Sequence, residues 1–478
     1  MTRSQDLPIR QMLGKLFPAV FLAGLAKATA AVKRVRKVDP VDLFWTVVLG
    51  FGVGRERSIA GLRRGYEKTT GKTIEESSFY DRFSEGFTQM LKQAAVRALE
   101  QSMGCGRALR GHLAAFRDVV LTDSTVVRLH DLLKRDYAGS RTNHSKAALK
   151  AHWIMAVGEA GQHSVRITAG RRHDGPVFRV GKWVAGKLLI FDLGYFSYHL
   201  FDCITRNHGY FLSRLKANAN PTIVACNNMD EELASKLVGK RMKDVTDILA
   251  GATVDVTVEV EFKRRRCGAR RRAVTRLLRV VGARDKATGA YHLYMTNVPV
   301  DRLPAQDVQT TYALRWQIEL LFKELKRHYH LEEMPSAKRQ IVEALLHAAI
   351  ITLAVSRTLL QAVRQRLGAL AERTPTLRWG AVLASVASDL LAIVLGSPNT
   401  VRALAARIST TILHEAVDPN ASRPQLLQAV ETRTHAYRVR TPRKTKSVTP
   451  SRLEETRKHA CRARPSAANT LKSRIIPS

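Results

Sequence analysis

Acidic charge, aromatic rings and cysteine are all scarce in this chain. Lys and Arg number 78 against 41 Asp and Glu, a net of +37, and no long run of one basic residue accounts for the excess. Such a charge repels itself unless the partner is a polyanion, so nucleic acid is the first candidate and an anionic membrane surface the second. Aromatic content of 6% argues against binding that rests on stacking single-stranded bases and favours a duplex backbone. The five cysteines, Cys105, Cys203, Cys226, Cys267 and Cys461, lie far apart with no Cys-x-x-Cys pair. That spacing suggests neither a zinc site nor a disulfide framework and fits a reducing cytoplasm. The apolar stretches 341–360 and 379–395 carry Glu343, His347, Arg357 and Asp389, and so read as buried helices rather than membrane spans. Near the start, 17–26 is apolar, follows Arg10 and Lys15 and ends near Ala28-Thr29-Ala30, as in a signal peptide. Asp6 and the basic run Lys33-Arg34-Val35-Arg36-Lys37 speak against secretion.

A length of 478 residues allows two to four domains. Residues 1 to about 112 read as helical. Asp39-Pro40-Val41-Asp42 signals one helix start, and Thr73-Ile74-Glu75-Glu76 has the pattern of a capping box. Segments 56–66 and 74–83, joined by the turn Thr69-Thr70-Gly71-Lys72, resemble a helix-turn-helix with Ser77, Ser78, Tyr80 and Arg82 on the second helix. Most helical hairpins of this kind only pack. From Phe116 the texture changes to short apolar runs between Gly, Asn and Asp clusters. Residues 119–127 predict a strand with Asp123 in its middle, a costly place for a carboxylate unless it is solvated, hydrogen-bonded or bound to a cation. Strands at 148–157 and 163–169 follow, then a short helical segment after Gly175 and a buried strand ending in Asp192. A helix at 198–206 and a strand at 210–215 complete a mixed β/α layer, the setting in which strand-end carboxylates meet ligands.

Val254, Val256, Val258, Val260 and Phe262 alternate with polar residues, a period of two that predicts a hairpin returning through 273–281. Its tip carries Lys263, Arg264, Arg265, Arg266, Arg270, Arg271 and Arg272, cations placed for DNA-backbone contact or simply for solvation. Long helices run from beyond Pro335 to about Ala416. The basic tail from Glu431 reads as disordered and DNA-attracted, or as merely solubilising.

Tyr312, Arg315, Glu319 and Lys326 recur at steps of three, four and seven, which on one helix places them along one face. Such a row can hold a cation on Glu319 and phosphate on Arg315 and Lys326. The stripe Leu314, Ile318, Leu321 and Leu325 supplies the apolar face. Asp123, Asp192 and Glu319 then make a three-carboxylate set able to hold two Mg²⁺ ions for in-line attack on phosphorus.

On these residues the chain resembles the DDE transposases of bacterial insertion sequences, and specifically the insertion sequence four family, whose hallmark Tyr-x2-Arg-x3-Glu-x6-Lys stands here as Tyr312, Arg315, Glu319 and Lys326. Thr122-Asp123-Ser124-Thr125 and Asp192-Leu193-Gly194-Tyr195 match the two earlier motifs; Leu193 stands where many relatives carry Arg. Lys150-Ala-His152, the Asp174-Gly175 loop and 294–297 are weaker family-like features. The resemblance implies an α/β fold, an RNase H-like mixed-sheet catalytic core interrupted by a β-rich insertion, with helical N-terminal and C-terminal regions. The expected division is a helical DNA-binding domain (1–112), core (113–216), β-rich insertion (217–296), second core part (297–365), helical C-terminal region (366–430) and basic tail (431–478). The resemblance also implies that Asp123, Asp192 and Glu319 ligate Mg²⁺, with Mn²⁺ as substitute. Tyr312, Arg315 and Lys326 would hold DNA phosphates. Asp174 is the substitute carboxylate to weigh, although an Asp before Gly reads first as a turn. Trp316 reads as a buried anchor sooner than as a base-stacking residue. The expected partners are double-stranded DNA, as terminal inverted repeats and target, and a second copy of the chain, with no membrane, in the bacterial cytoplasm. The function expected is cut-and-paste transposition, its rivals a catalytically silent DNA-binding relative and a nuclease without strand transfer.

Overall fold

The computed structural model describes residues 7–419 apart from 33–37, 55, 103–108, 141–145, 159–162, 228–229, 246–252, 264–272, 285–290 and 397. The chain begins with helices α1 (Ile9–Leu16), α2 (Ala19–Ala28), α3 (Pro40–Thr46), α4 (Ile59–Thr70), α5 (Glu76–Tyr80) and α6 (Glu85–Ser102). Asp39 caps α3, its carboxylate accepting the Val41 N–H at 2.7 Å with Pro40 in the first turn. Thr73 does not cap α5: the residue before that helix is Glu75, and the helix is five residues long. The reason is local. Glu67 Oε1 takes the Ile74 N–H at 2.9 Å, so the chain stays extended past Gly71, which ends α4 at φ 69°. The second helix expected over 74–83 is therefore a single short turn, with Phe79 buried and Ser77 and Ser78 exposed.

The strands are β1 (Asp118–Arg128), β2 (Ala148–Ala156), β3 (Ser164–Ala169), β4 (Lys187–Phe191), β5 (Tyr210–Arg214), β6 (Thr222–Cys226), β7 (Val254–Lys263), β8 (Ala273–Arg284) and β9 (Tyr291–Thr296). They form one nine-stranded mixed sheet in the order β3-β2-β1-β4-β5-β9-β8-β7-β6. The first three strands are antiparallel, whereas β1, β4 and β5 run parallel. This arrangement fits the RNase H-like reading. The β-rich segment adds its strands to the same sheet, because β9 pairs antiparallel with the free side of β5, Leu212 opposite Thr296. Helices α7 (Tyr198–Arg206) and α8 (Glu231–Leu237) complete this part of the chain.

At its centre the sheet is buried on both faces, as the unbroken apolar runs of β1 and β4 require. Val119, Leu121, Leu188 and Ile190 join one core, and Val120, Leu189 and Phe191 join the other. The first core is shared with α9 (Ala305–Ala313), α10 (Trp316–Arg327), α11 (Arg339–Leu367), α12 (Thr376–Leu395) and α13 (Pro398–Glu415). By length and composition α11 and α12 could each cross a membrane. In the fold, α11 is the central strut, with Leu345, Leu346, Ile350, Ile351 and Leu353 buried and α6 packed along it. Thr352 on α11 donates to the Val48 carbonyl at 2.7 Å, so close that a Cβ at Gly52 would sit 1.8 Å from its hydroxyl. Only glycine permits that approach.

Candidate active site

Tyr312 to Lys326 is not one helix. The chain turns between α9 and α10, where Leu314, Arg315, Gln317 and Ile318 bond three residues back, to Thr311, Tyr312, Leu314 and Arg315. The turns tighten to the 3₁₀ pattern without any Pro or Gly, which is why periodicity did not reveal the break. The apolar stripe is as expected, with Leu314, Ile318, Leu321 and Leu325 all buried. Trp316 is exposed, and the Lys323 ammonium lies 4.2 Å over its ring, so it is not a buried anchor.

The turn aims Arg315 at all three carboxylates. Its Nη1 lies 2.7 Å from Glu319 and 3.9 Å from Asp123, and its Nε lies 4.0 Å from Asp192. Asp123 comes from mid-β1, Asp192 directly follows β4, and Glu319 sits in the first turn of α10, which packs on β1. The parallel pairing sets the aspartates beside each other, since Thr122 faces Phe191 in the β1–β4 register. Burial, reinforced by Asp192 and Glu319, pushes the Asp123 carboxyl up to about 6 against the Ser124 N–H and Arg315. The Ser124 N–H donates to Asp123 Oδ1 at 2.7 Å.

Tyr312 stacks at a tilt on Tyr294, centroids 5.1 Å apart, and its buried hydroxyl has no hydrogen-bond partner among the described residues. Burial pushes that phenol up to about 12. Lys326 lies two turns along α10 and pairs with Glu332 at 2.5 Å. Arg264, Arg265, Arg266, Arg270 and Arg271 fall outside the described residues.

Lys150, His152 and Asp174, which the sequence singled out separately, gather with Ser124 in a second polar cluster that the sequence did not reveal. Ser124 and His152 are opposite each other on β1 and β2, one residue out of phase with Asp123, so they face the other side of the sheet. There Ser124 Oγ donates to Asp174 Oδ1 at 2.8 Å, and Lys150 Nζ and His152 Nδ1 each lie 3.3 Å from that oxygen. Burial alone would raise Asp174, but the bonds from His152 and Ser124 and the Lys150 charge hold it at about 2. Asp174 is thus engaged behind the site, neither a bare turn residue nor a fourth carboxylate beside the three. The readable signal was Lys150-x-His152 on one face of a strand opposite Ser124. A buried network fixes α10 from below: Glu324 pairs with Arg357, Tyr329 donates to Ser356 at 2.7 Å, and the Trp379 indole N–H reaches the same hydroxyl at 2.9 Å.

Three carboxylates from separate elements are hard oxygen donors of the kind that divalent cations select. Burial that leaves Asp123 hard to ionise, with Asp192 and Glu319 adding to it, also suits a cation. Among the described residues, however, no three acidic, His or Cys groups are gathered closely enough to hold an ion, and the guanidinium stands between them. The donor chemistry fits a metal; the spacing, with the guanidinium between the carboxylates, is that of an Arg-filled site.

Carboxylates in and at the end of the parallel strands of a mixed sheet lie where such folds place ligands. Residues 114–355, half of the chain, match the transposase DDE domain; the chain belongs to that family and is a DDE-type transposase. It is similar to the transposase for insertion sequence element IS231F of Bacillus thuringiensis subsp. israelensis, 23% identical over 75% of this chain and 81% of the relative. It is likewise similar to the transposase for IS1151 of Clostridium perfringens, 21% identical over 70% of this chain and 76% of the relative. A superposition on the piggyBac transposase synaptic complex with hairpin DNA gives a TM-score of 0.42 at 12% identity, covering 91% of each chain.

Proposed function

We propose that this transposase carries out cut-and-paste transposition as a member of the insertion sequence four family, nicking duplex DNA at the ends of its own element and joining the freed end to a target. One observation carries the reading: Arg315 stands within 4.0 Å of each of Asp123, Asp192 and Glu319, residues scattered along the chain yet brought to one spot. Those three carboxylates would hold Mg²⁺, or Mn²⁺ in its place, with two ions expected. When bound, the metal supplies Lewis-acid activation of a water or 3′-hydroxyl and stabilises the leaving oxygen at phosphorus. The Tyr312 hydroxyl, buried without a partner, and the Arg315 fork offer donors for the phosphate that is cut. Lys326, two turns away, would hold a neighbouring phosphate after leaving Glu332.

The wider reading assigns 1–112 to DNA binding, 113–216 and 297–365 to an RNase H-like core, 217–296 to a β-rich insertion and 366–430 to a helical C-terminal region. Arg264, Arg265, Arg266, Arg270 and Arg271 would contact the DNA backbone. A homodimer would pair the two ends in the bacterial cytoplasm, at the nucleoid, away from membranes. The net charge of +37 supports DNA as partner. The test is a strand-transfer assay: a labelled 3′ end that becomes joined to target plasmid supports transposition, cutting without joining supports a nuclease, and a bound but uncut duplex supports a silent relative.

A further inference from the structure

Arg315 occupies the space that the three carboxylates enclose. Three acids brought this close repel one another unless a cation stands among them, and the guanidinium is that cation. Its hold is uneven. Only the Glu319 contact, at 2.7 Å, is of hydrogen-bond length; the approaches to Asp123 and Asp192, at 3.9 and 4.0 Å, are longer, and the buried Nε has no hydrogen-bond partner among the described residues. The side chain also springs from the 3₁₀ turn between α9 and α10, where the backbone is not locked into the α-helical ladder. At the end of α9, just before that turn, sits Tyr312, its ring 5.8 Å from the guanidinium and its hydroxyl without a hydrogen-bond partner among the described residues.

We propose that Arg315 is an internal placeholder for the divalent metal, exchanged for it when DNA arrives. A phosphate entering beside Tyr312 offers the guanidinium a two-oxygen partner that a single Glu319 contact does not match. Arg315 swings toward the phosphate, the carboxylates lose their cation, and the site becomes open to a metal ion that would otherwise meet a like charge. Metal loading and DNA binding are therefore positively coupled. This inference rests on the metal reading of Asp123, Asp192 and Glu319.

The test is Mn²⁺ binding by electron paramagnetic resonance on the full chain, with and without a pre-cut duplex that ends at the element boundary and cannot be cut again. Wild type is expected to bind Mn²⁺ weakly alone and on the order of tenfold or more tightly on DNA, a usual size for coupling between two sites. Arg315→Ala is expected to bind Mn²⁺ tightly without DNA and to gain nothing from it. Arg315→Gln, which keeps the length and polarity of the side chain but not its charge, is expected to do the same and guards against loss of fold. Wild type binding Mn²⁺ as tightly alone as on DNA, or both variants matching wild type without DNA, overturns the placeholder while leaving the metal reading intact. Absence of Mn²⁺ binding on DNA, or binding that survives Asp123→Asn with Glu319→Gln, overturns the metal reading and the placeholder with it.

Discussion

The Glu324 carboxylate, fully buried on α10, meets the Arg357 guanidinium of α11 at 2.6 Å, and this pair holds the helix that carries Glu319. Removing one partner strands the other charge, at a cost of about 3–5 kcal/mol. Glu324→Ala should therefore lower the thermal midpoint sharply. The double variant Glu324→Leu with Arg357→Met should recover most of the loss, since an apolar pair of similar volume replaces an ion pair at little net cost. Thermal unfolding of the two variants checks both statements.

Asp174 should matter to cutting more than to binding. Asp174→Ala releases Ser124, whose backbone N–H holds Asp123, and leaves Lys150 and His152 without their shared anion. Single-turnover cleavage should fall roughly tenfold, the cost of about one charge-assisted hydrogen bond. Affinity for the end duplex should stay within a small factor, and Asp174→Asn, which still accepts from Ser124, should lose less.

His347, buried beside Glu343 and Lys92, supplies a pH effect. Burial pushes it down to about 4, with Lys92 adding to the effect and Glu343 opposing it. The unfolded chain keeps an ordinary imidazole near about 6.5, so between those values it binds more protons than the folded chain. The contribution to stability is thus complete above the unfolded value and lost as pH falls toward the folded one. His347→Leu should narrow the drop in unfolding midpoint between neutral and mildly acidic buffer; an unchanged slope would contradict this.

Trp316 and Leu325 make a contrast on one helix. Trp316 is exposed and Leu325 wholly buried. Trp316→Ala should shift stability by no more than about 0.5 kcal/mol, and Leu325→Ala should cost about 2–5 kcal/mol. Chemical denaturation distinguishes them.

The strands were legible because burial leaves a direct mark on sequence: Val119-Val120-Leu121 and Leu188-Leu189-Ile190-Phe191 are apolar runs, and Val254 to Phe262 alternates. Both aspartates could be placed for the same reason, as carboxylates set in or against such runs. The break at Leu314–Arg315 was not legible, since no residue there opposes helix and the spacing of Tyr312, Arg315 and Glu319 suits a continuous one. Pairing of β9 with β5 was hidden as well, because strand order depends on partners far apart in the chain and not on local pattern. The Asp174 cluster was masked by Asp-Gly, a dipeptide that reads as a turn whatever the side chain does. Thr73 failed as a cap for a reason no local pattern holds, the capture of the Ile74 N–H by Glu67 one helix earlier.

The most direct test of the account is cleavage of a labelled duplex carrying the element's own end, with Mg²⁺, by wild type and by Asp123→Asn, Asp192→Asn and Glu319→Gln. The account predicts a cut at the element boundary by wild type alone, with all four proteins shifting the duplex on a gel. Cleavage that persists in any of the three variants at the wild-type rate would contradict a site built on those carboxylates.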